Sequence, residues 1–293
     1  MRRPTIAITV GDPAGIGPEI SVKAAADPRV LAACEPRLYG PHTDQDLQAF
    51  RAGEVSAAAG RAAFEAVSRA VYDARAGQVS AVVTAPVSKA AFAAAGLPWR
   101  GHTELLAHLC GVEETVMFFW SDALKVALAT VHIPLRDVAS ALTPDRLRHV
   151  IRITASQVPR FGIARPRLGV AALNPHAGER GLLGHEDDEV IAPVIDELRA
   201  SGVDVTGPWP ADTVFVRATR GEFDVVIAMY HDQGLVPVKL TSFGRAVNVT
   251  LGLPIVRTSV DHGTAYDIAR KGVADPGSLI EAILLASKLA GSG

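Results

Sequence analysis

The amino-acid sequence predicts an α/β fold with a largely parallel sheet, arranged in two lobes. Short β-branched runs, of which Thr5-Ile6-Ala7-Ile8-Thr9-Val10 is the first, alternate with Ala/Leu-rich helical stretches along almost the whole chain. At 293 residues, 48% of them hydrophobic, the chain can bury a core large enough for two lobes. Polar residues crowd where the apolar runs stop.

Composition removes several function classes. A net charge of −2 with few aromatic residues leaves no electrostatic footprint for nucleic acid, and no apolar run is long enough to cross a bilayer. Met1-Arg2-Arg3-Pro4 and the run after it imitate the start of a signal peptide. The run stops at Gly11-Asp12-Pro13 with no cleavage-like site, so it reads as a first strand and the protein as cytoplasmic. Cys34 and Cys110 are too few for a disulfide framework or a thiolate metal site and read as small core residues.

In chain order, the first strand leads into Gly11-Asp12-Pro13-Ala14-Gly15-Ile16-Gly17-Pro18-Glu19, whose Pro18 and Glu19 suit the first turn of a helix running to about Ala33. Glycines at 11, 15 and 17 do not make the dinucleotide fingerprint. The turn reads as a tight strand-to-helix connection, with phosphate binding by its backbone the alternative. Arg37 to Tyr39 is a short strand, a polar connection reaches Ser56, and an Ala-rich helix runs to about Ala76. The strand Val79 to Thr84 ends in Ala85-Pro86-Val87-Ser88-Lys89, where Lys89 begins a helix. Gly101-His102-Thr103-Glu104 opens an amphipathic helix with Thr103 as N-cap.

Thr115 to Trp120 and Ala123 to Thr130 form a hairpin about Ser121-Asp122, an antiparallel insertion that marks entry into the second lobe. A helix follows from about Thr143 to Phe161, then a strand from Leu168 and a helix from Gly184 to Ser201. The acidic run Glu186-Asp187-Asp188-Glu189 in that helix reads as first-turn dipole complementation. Asp212 precedes Val214-Phe215-Val216 as a helix or turn cap. From Phe223 onward come His231-Asp232-Gln233, Lys239, Asn248, Arg257 and Asp261-His262-Gly263-Thr264-Ala265. The expected lobes are 1–100 completed by 226–293, and 101–225 carrying the dimer contacts and metal ligands.

Three histidines close apolar runs: His132 after Val126–Val131, His176 after the run from Leu168, and His231 after Val225–Tyr230. His176 stands in Asn174-Pro175-His176-Ala177-Gly178, poorly placed to pack and well placed to bind. Three imidazoles can hold a divalent metal and leave coordination positions for a substrate. Position alone leaves open one shared site or three unrelated polar histidines. Asp212 and Asp232 are carboxylates that could orient or complete such a shell. Lys239, Asn248 and Arg257, with His102 and Thr103, are of the types that hold a phosphate or carboxylate.

The ordered motifs GDPAGIGPE (11 to 19), TAPVSK (84 to 89), GHTE (101 to 104), HIPLRD (132 to 137), NPHAGE (174 to 179), PADT (210 to 213), MYHDQG (229 to 234) and SVDHGTA (259 to 265) resemble the metal-dependent 4-hydroxythreonine-4-phosphate dehydrogenases of vitamin B6 biosynthesis. The resemblance implies that His132, His176 and His231 ligate the metal at a dimer interface, with ligands from both subunits of a homodimer. It implies that His102, Thr103, Lys239, Asn248 and Arg257 hold the phosphorylated substrate. A more distant likeness, of the run Asp261 to Ala269 and of GDPAGIGPE, is to isopropylmalate and isocitrate dehydrogenases. It implies their two-lobed α/β/α fold with the active site between the lobes, and an NAD or NADP site at Gly11, Asp261, His262, Gly263, Thr264, Ala265 and Asp267.

The implied reaction is NAD-dependent oxidation of a secondary alcohol followed by loss of carbon dioxide, with one zinc, magnesium, cobalt or similar ion as Lewis acid. Asp212, a metal-bound hydroxide or Lys239 could take the alcohol proton, the lysine only if burial lowers its pKa. A paralogue oxidising 4-phosphorylated threonate or erythronate is the alternative substrate reading, and a non-catalytic metal- or nucleotide-binding protein is the alternative from another class. Between Tyr39 and Gly60 the chain is a few tens of residues shorter than the family's usual form, which bears on the lobe edge and on cofactor affinity.

Overall fold

A strand that is apolar without alternation needs both faces of its sheet covered, and the chain begins with one: β1 (Thr5–Thr9) is buried from Ile6 onward. The computed structural model describes residues 3–291. The chain forms two compact units, one of residues up to Thr115 together with those from Val247, the other Val116–Ala246.

After β1 the first unit contains α1 (Gly17–Ala25), α2 (Pro28–Ala33), β2 (Glu35–Tyr39), α3 (Asp44–Leu47), α4 (Ala57–Arg75), β3 (Ala81–Thr84), α5 (Lys89–Ala94) and α6 (His102–Cys110). The second unit contains β4 (Val116–Trp120), β5 (Lys125–Leu128), α7 (Val138–Ala141), α8 (Pro144–Gln157), β6 (Leu168–Ala171), α9 (Ala192–Ala200), β7 (Val205–Trp209), α10 (Ala211–Thr219), β8 (Val225–Ala228) and α11 (His231–Ser242). The first unit is completed by β9 (Val247–Leu251), β10 (Arg257–Ser259) and α12 (Gly277–Ala290).

Strand order in the first unit is β2-β1-β3-β10-β9, parallel except that β9 runs against β10. In the second unit it is β4-β5-β8-β6-β7, parallel except for the β4–β5 hairpin. The predicted α/β class and hairpin are therefore present. Small side chains set the layer spacing in the first unit. Ala59, Ala63, Ala66 and Ala70 form the buried stripe of α4, and a Cβ on Gly60 would meet the Ala91 carbonyl oxygen at 2.1 Å, so α4 and α5 touch through backbone. Cys34 and Cys110 are buried thiols, as expected, and burial pushes the Cys34 pKa up to about 11.

Several local expectations are corrected. The unit boundary falls at 115/116 and 246/247, not at 100/101 and 225/226, because α6 packs into the first unit's core while β8 pairs with both β5 and β6. His231 thus belongs to the second unit. The helix expected to reach Ala33 is broken, since the Asp27 carboxylate caps the Arg29 amide and Pro28 starts a new helix. Gly101, not Thr103, is the N-cap of α6. Asp212 lies inside the first turn of α10, and Val214 to Val216 is helical.

Candidate functional site

Arg257 is opposite Thr250 in the antiparallel β9–β10 pair and beside Val82 on β3, while Ser259 is opposite Asn248 and beside Thr84. Side chains two apart share a sheet face, so this register puts Thr84, Asn248, Thr250 and Arg257 on one face. The Arg257 guanidinium, 3% exposed, donates to Thr84 Oγ1 at 2.7 Å and Thr250 Oγ1 at 2.8 Å. No carboxylate pairs with it among the described residues, and burial alone holds its pKa down to about 9. Its Nε has no partner, and neither do the buried His102 Nε2 and Asn248 Oδ1. His102 opens α6, and burial, then the charge of Arg257, hold its imidazole well below the usual histidine range and therefore neutral.

A buried cation with a spare donor beside a neutral imidazole and an amide, at the first turn of a helix, is the chemistry that suits an anion. Thr103 follows in the same turn of α6. Lys239 belongs to the other unit and is exposed on the last turn of α11. Lys89 is an exposed first-turn residue of α5.

The three candidate metal histidines follow three adjacent parallel strands of the second unit: His132 follows β5, His231 follows β8 and His176 follows β6. His132 and His231 come together, with ring centres 5.4 Å apart. Two imidazoles on one tetrahedral ion at about 2.0 Å per nitrogen have ring centres about 5 Å apart, so this pair fits a shared metal. Asp232 Oδ1 lies 2.7 Å from His231 Nδ1, which assigns the proton to Nδ1 and leaves Nε2 the lone pair. His176 does not join them. Among the described residues of one chain, no three His, Cys, Asp or Glu side chains are arranged to hold a metal ion.

His231 is the first residue of α11, a helix that its internal Gly234 and Pro237 conceal in the sequence. A Cβ on Gly234 would meet Leu128 Cδ2 at 2.7 Å and Val126 Cγ1 at 2.8 Å, so glycine lets α11 lie close on β5. Gln233 then joins two strand ends, accepting from the Met229 amide and donating to the Ala172 carbonyl, each at 2.7 Å.

The His176 turn is more unusual than Pro175 and Gly178 suggest. Residues 176 to 181 all have positive φ, from +47° to +86°, including the non-glycines His176, Ala177, Glu179 and Arg180. Each non-glycine residue there costs about 1 kcal/mol or more. The opposing hold comes from Asp187. Fully buried, it accepts from the Leu173 amide at 2.8 Å and the Asn174 amide at 3.0 Å, while Glu186 accepts from Asn174 Nδ2 at 2.7 Å. The acidic run does more than complement a helix dipole: it fastens this turn, through a π-turn at Asp187–Ile191.

The candidate cofactor segment belongs to the first unit. A Cβ on Gly11 would meet the Pro86 carbonyl oxygen at 2.1 Å and one on Gly17 the Val10 carbonyl oxygen at 2.0 Å, so these glycines serve close packing, as the tight-turn reading expects. Asp261 accepts from Ser278 Oγ at 3.2 Å. Thr264 accepts from the Ile16 amide at 2.9 Å. Ala265 is left-handed at φ +43°, while His262, Gly263 and Asp267 are exposed. The two candidate proton acceptors, Asp212 and Lys239, are both exposed in the second unit.

An α/β chain with a buried guanidinium that no carboxylate pairs, and with two imidazoles together at a strand edge, has the side chains of an enzyme site. The chain belongs to the family of the pyridoxal phosphate biosynthetic protein PdxA, whose model matches residues 18–286. It is 44% identical to the 4-hydroxythreonine-4-phosphate dehydrogenase of Chromobacterium violaceum over 99% of this chain and 98% of that one. It is also 44% identical to the D-threonate 4-phosphate dehydrogenase of Cupriavidus necator, over 98% and 97%. The crystal structure of 4-hydroxythreonine-4-phosphate dehydrogenase from Klebsiella pneumoniae superposes with a TM-score of 0.89 at 41% identity, covering 98% of this chain and 99% of that one. The protein is accordingly an oxidoreductase. The alignment with the Chromobacterium protein spans 321 positions against 293 residues here, so that relative carries segments this chain lacks. No described helix is long and apolar enough to cross a membrane.

Proposed function

We propose that the protein oxidises 4-phosphooxy-L-threonine at its secondary alcohol, passing hydride to NAD. The resulting 3-keto acid loses carbon dioxide to give 3-amino-2-oxopropyl phosphate, in pyridoxal 5'-phosphate biosynthesis. The observation that carries this reading is the unpaired, buried Arg257. With His102, Thr103 and Asn248 it would grip the phosphate, and the run Asp261 to Asp267 would take the dinucleotide. Asp232 would hold His231 in the tautomer that presents Nε2, and Asp212 or Lys239 would accept the alcohol proton. When bound, NAD supplies the hydride acceptor, and a divalent ion such as zinc, magnesium or cobalt supplies Lewis-acid polarisation of a substrate oxygen.

The metal site is proposed to close between two copies of the chain, His132 and His231 of one with His176 of the other. Large exposed apolar side chains gather along the sequence beside these histidines. Leu135 is 70% exposed, Leu182 79%, and Leu240 and Phe243 82% each. Such a set calls for cover by a second apolar surface, and a homodimer supplies it.

The D-threonate 4-phosphate relative, at the same identity as the hydroxythreonine one, keeps the hydroxy acid as the second reading. NADH formation on the two substrates separates them. A higher kcat/KM on 4-phosphooxy-L-threonine is expected, the reverse order selects the threonate reading, and inactivity on both overturns the dehydrogenase assignment. His176→Ala is expected to lose metal and activity while remaining a folded dimer; full metal occupancy in that variant would refute the ligand set.

A further inference from the structure

The segment 261–274 contains two non-glycine residues in left-handed backbone, Ala265 at φ +43° and Arg270 at φ +59°. Strain of this kind persists only where the surroundings over-determine the conformation, and here the ties can be counted off along the chain. At the near end the Ile16 amide donates to the Thr264 carbonyl at 2.9 Å, and Tyr266 Oη donates to Asp12 Oδ2 at 2.7 Å. In the middle the Arg270 guanidinium donates to the Leu47 carbonyl at 2.9 Å and the Pro13 carbonyl at 3.3 Å.

The far end is held by two side chains of α1. Glu19 accepts from the Ala274 amide at 3.0 Å and the Gly272 amide at 3.3 Å. Lys23 donates to the Gly272 carbonyl at 2.9 Å, the Ala274 carbonyl at 3.0 Å and Glu19 Oε1 at 2.8 Å. One ion pair therefore meets the N–H and C=O of both residues, and the ammonium's three donors are all used. An irregular segment has no ladder to satisfy its backbone, so this pair stands in for one.

We propose that Glu19 and Lys23 are positioning residues for cofactor binding, holding residues 272–274 so that the whole 261–274 segment keeps the conformation that receives the dinucleotide. This rests on the assignment of that segment to NAD. Neither side chain needs to touch the cofactor. The Pro18-Glu19 pair, which the sequence presents as a helix start, is then also a bracket for a segment some 250 residues away in the chain.

The test uses the full-length protein, Glu19→Gln and Lys23→Met, with NAD as the titrant and hydrogen exchange as an activity-independent readout. Loss of these charge-assisted bonds is expected to weaken NAD binding about tenfold in either variant. The double variant is expected to match the singles, because the pair acts as a unit. Exchange at Gly272 and Ala274 should accelerate while β1 and α1 stay protected. KM for NAD should rise with kcat at saturating NAD and KM for the phosphorylated substrate little changed. Unaltered NAD affinity in both variants overturns the proposal, as does unaltered exchange at 272 and 274. If Glu19→Gln fails to fold, Lys23→Met, whose side chain is 38% exposed, carries both measurements. Wild-type protein that binds no NAD would overturn the cofactor assignment itself, an outcome distinct from equal binding by wild type and variants.

Discussion

Replacing Arg257 by methionine should stabilise the ligand-free protein while abolishing anion binding. The guanidinium is 3% exposed and its pKa is held down to about 9, with burial the sole cause. At 1.36 kcal/mol per pKa unit, the charge is buried at a cost on the order of 5 kcal/mol. For a base whose folded pKa lies below its unfolded one, that cost is fully present at neutral pH and is relieved only as pH rises above about 9. Against it stand the bonds to Thr84 and Thr250, whose hydroxyls the variant strands at about 1–2 kcal/mol each. The balance favours Arg257→Met by roughly 2 kcal/mol without ligand. Wild type should in turn gain about 2.7 kcal/mol from inorganic phosphate at a hundred times its Kd, and the variant nothing. Urea unfolding of both proteins with and without phosphate measures all four states. A variant less stable than wild type in phosphate-free buffer, or one that phosphate still stabilises equally, would refute the reasoning from an uncompensated charge.

Asp187→Ala leaves the Leu173 and Asn174 amides without acceptors, so urea unfolding should show a loss of roughly 2–4 kcal/mol and elemental analysis a loss of bound metal; full metal occupancy would uncouple Asp187 from His176. Leu240→Glu on α11 and Phe243→Glu just past its end place charges on exposed apolar positions, and sedimentation should report monomers that no longer hold metal. A metal-loaded monomer would show that one chain completes the site. Burial raises the Asp12 pKa above 3.8, against the opposing hydrogen bonds from Tyr266 and Ala14, so the native state holds more protons than the unfolded one above that pH. Stability should therefore fall as pH rises from about 4 through the folded value, and Asp12→Asn should flatten that slope in pH-dependent unfolding.

The fold was legible because its strongest signals are local. β1, β3 and β8 are unbroken apolar runs, α4 carries its alanines on one face, and the Ser121-Asp122 turn separates two β-rich segments. The hidden features are local too: Pro28 after Asp27 starts a second helix inside one helical pattern, and Gly234 with Pro237 hides α11. The buried cluster around Arg257 was legible only by residue type. Arg257 stands inside the run Ile255-Val256-Arg257-Thr258-Ser259-Val260, and a charge within such a run can signal burial, yet its partners Thr84 and Thr250 depend on the register of three strands. The left-handed turn at His176 was not legible at all. Asp187, eleven residues on, anchors the Leu173 and Asn174 amides that lead into it, and nothing in Pro-His-Ala-Gly-Glu-Arg demands positive φ at four non-glycine positions.

The connection after β2 bears on the 261–274 segment through the contacts it makes. The Gly53 amide donates to the Ala14 carbonyl at 2.8 Å, and at φ +75° a Cβ on Gly53 would meet the Tyr266 carbonyl oxygen at 2.9 Å. Leu47, at the end of α3, accepts from Arg270, and α3 itself is closed by a reciprocal Thr43–Asp46 capping box. The connection thus packs against both the glycine turn and the 261–274 segment, and each of these is also tied to the other through Asp12 and Ile16. Three segments outside the sheet satisfy one another's backbone groups. The support of the 261–274 segment therefore runs through Leu47, Gly53 and α1 together, and a change in any one of the three is felt by the other two.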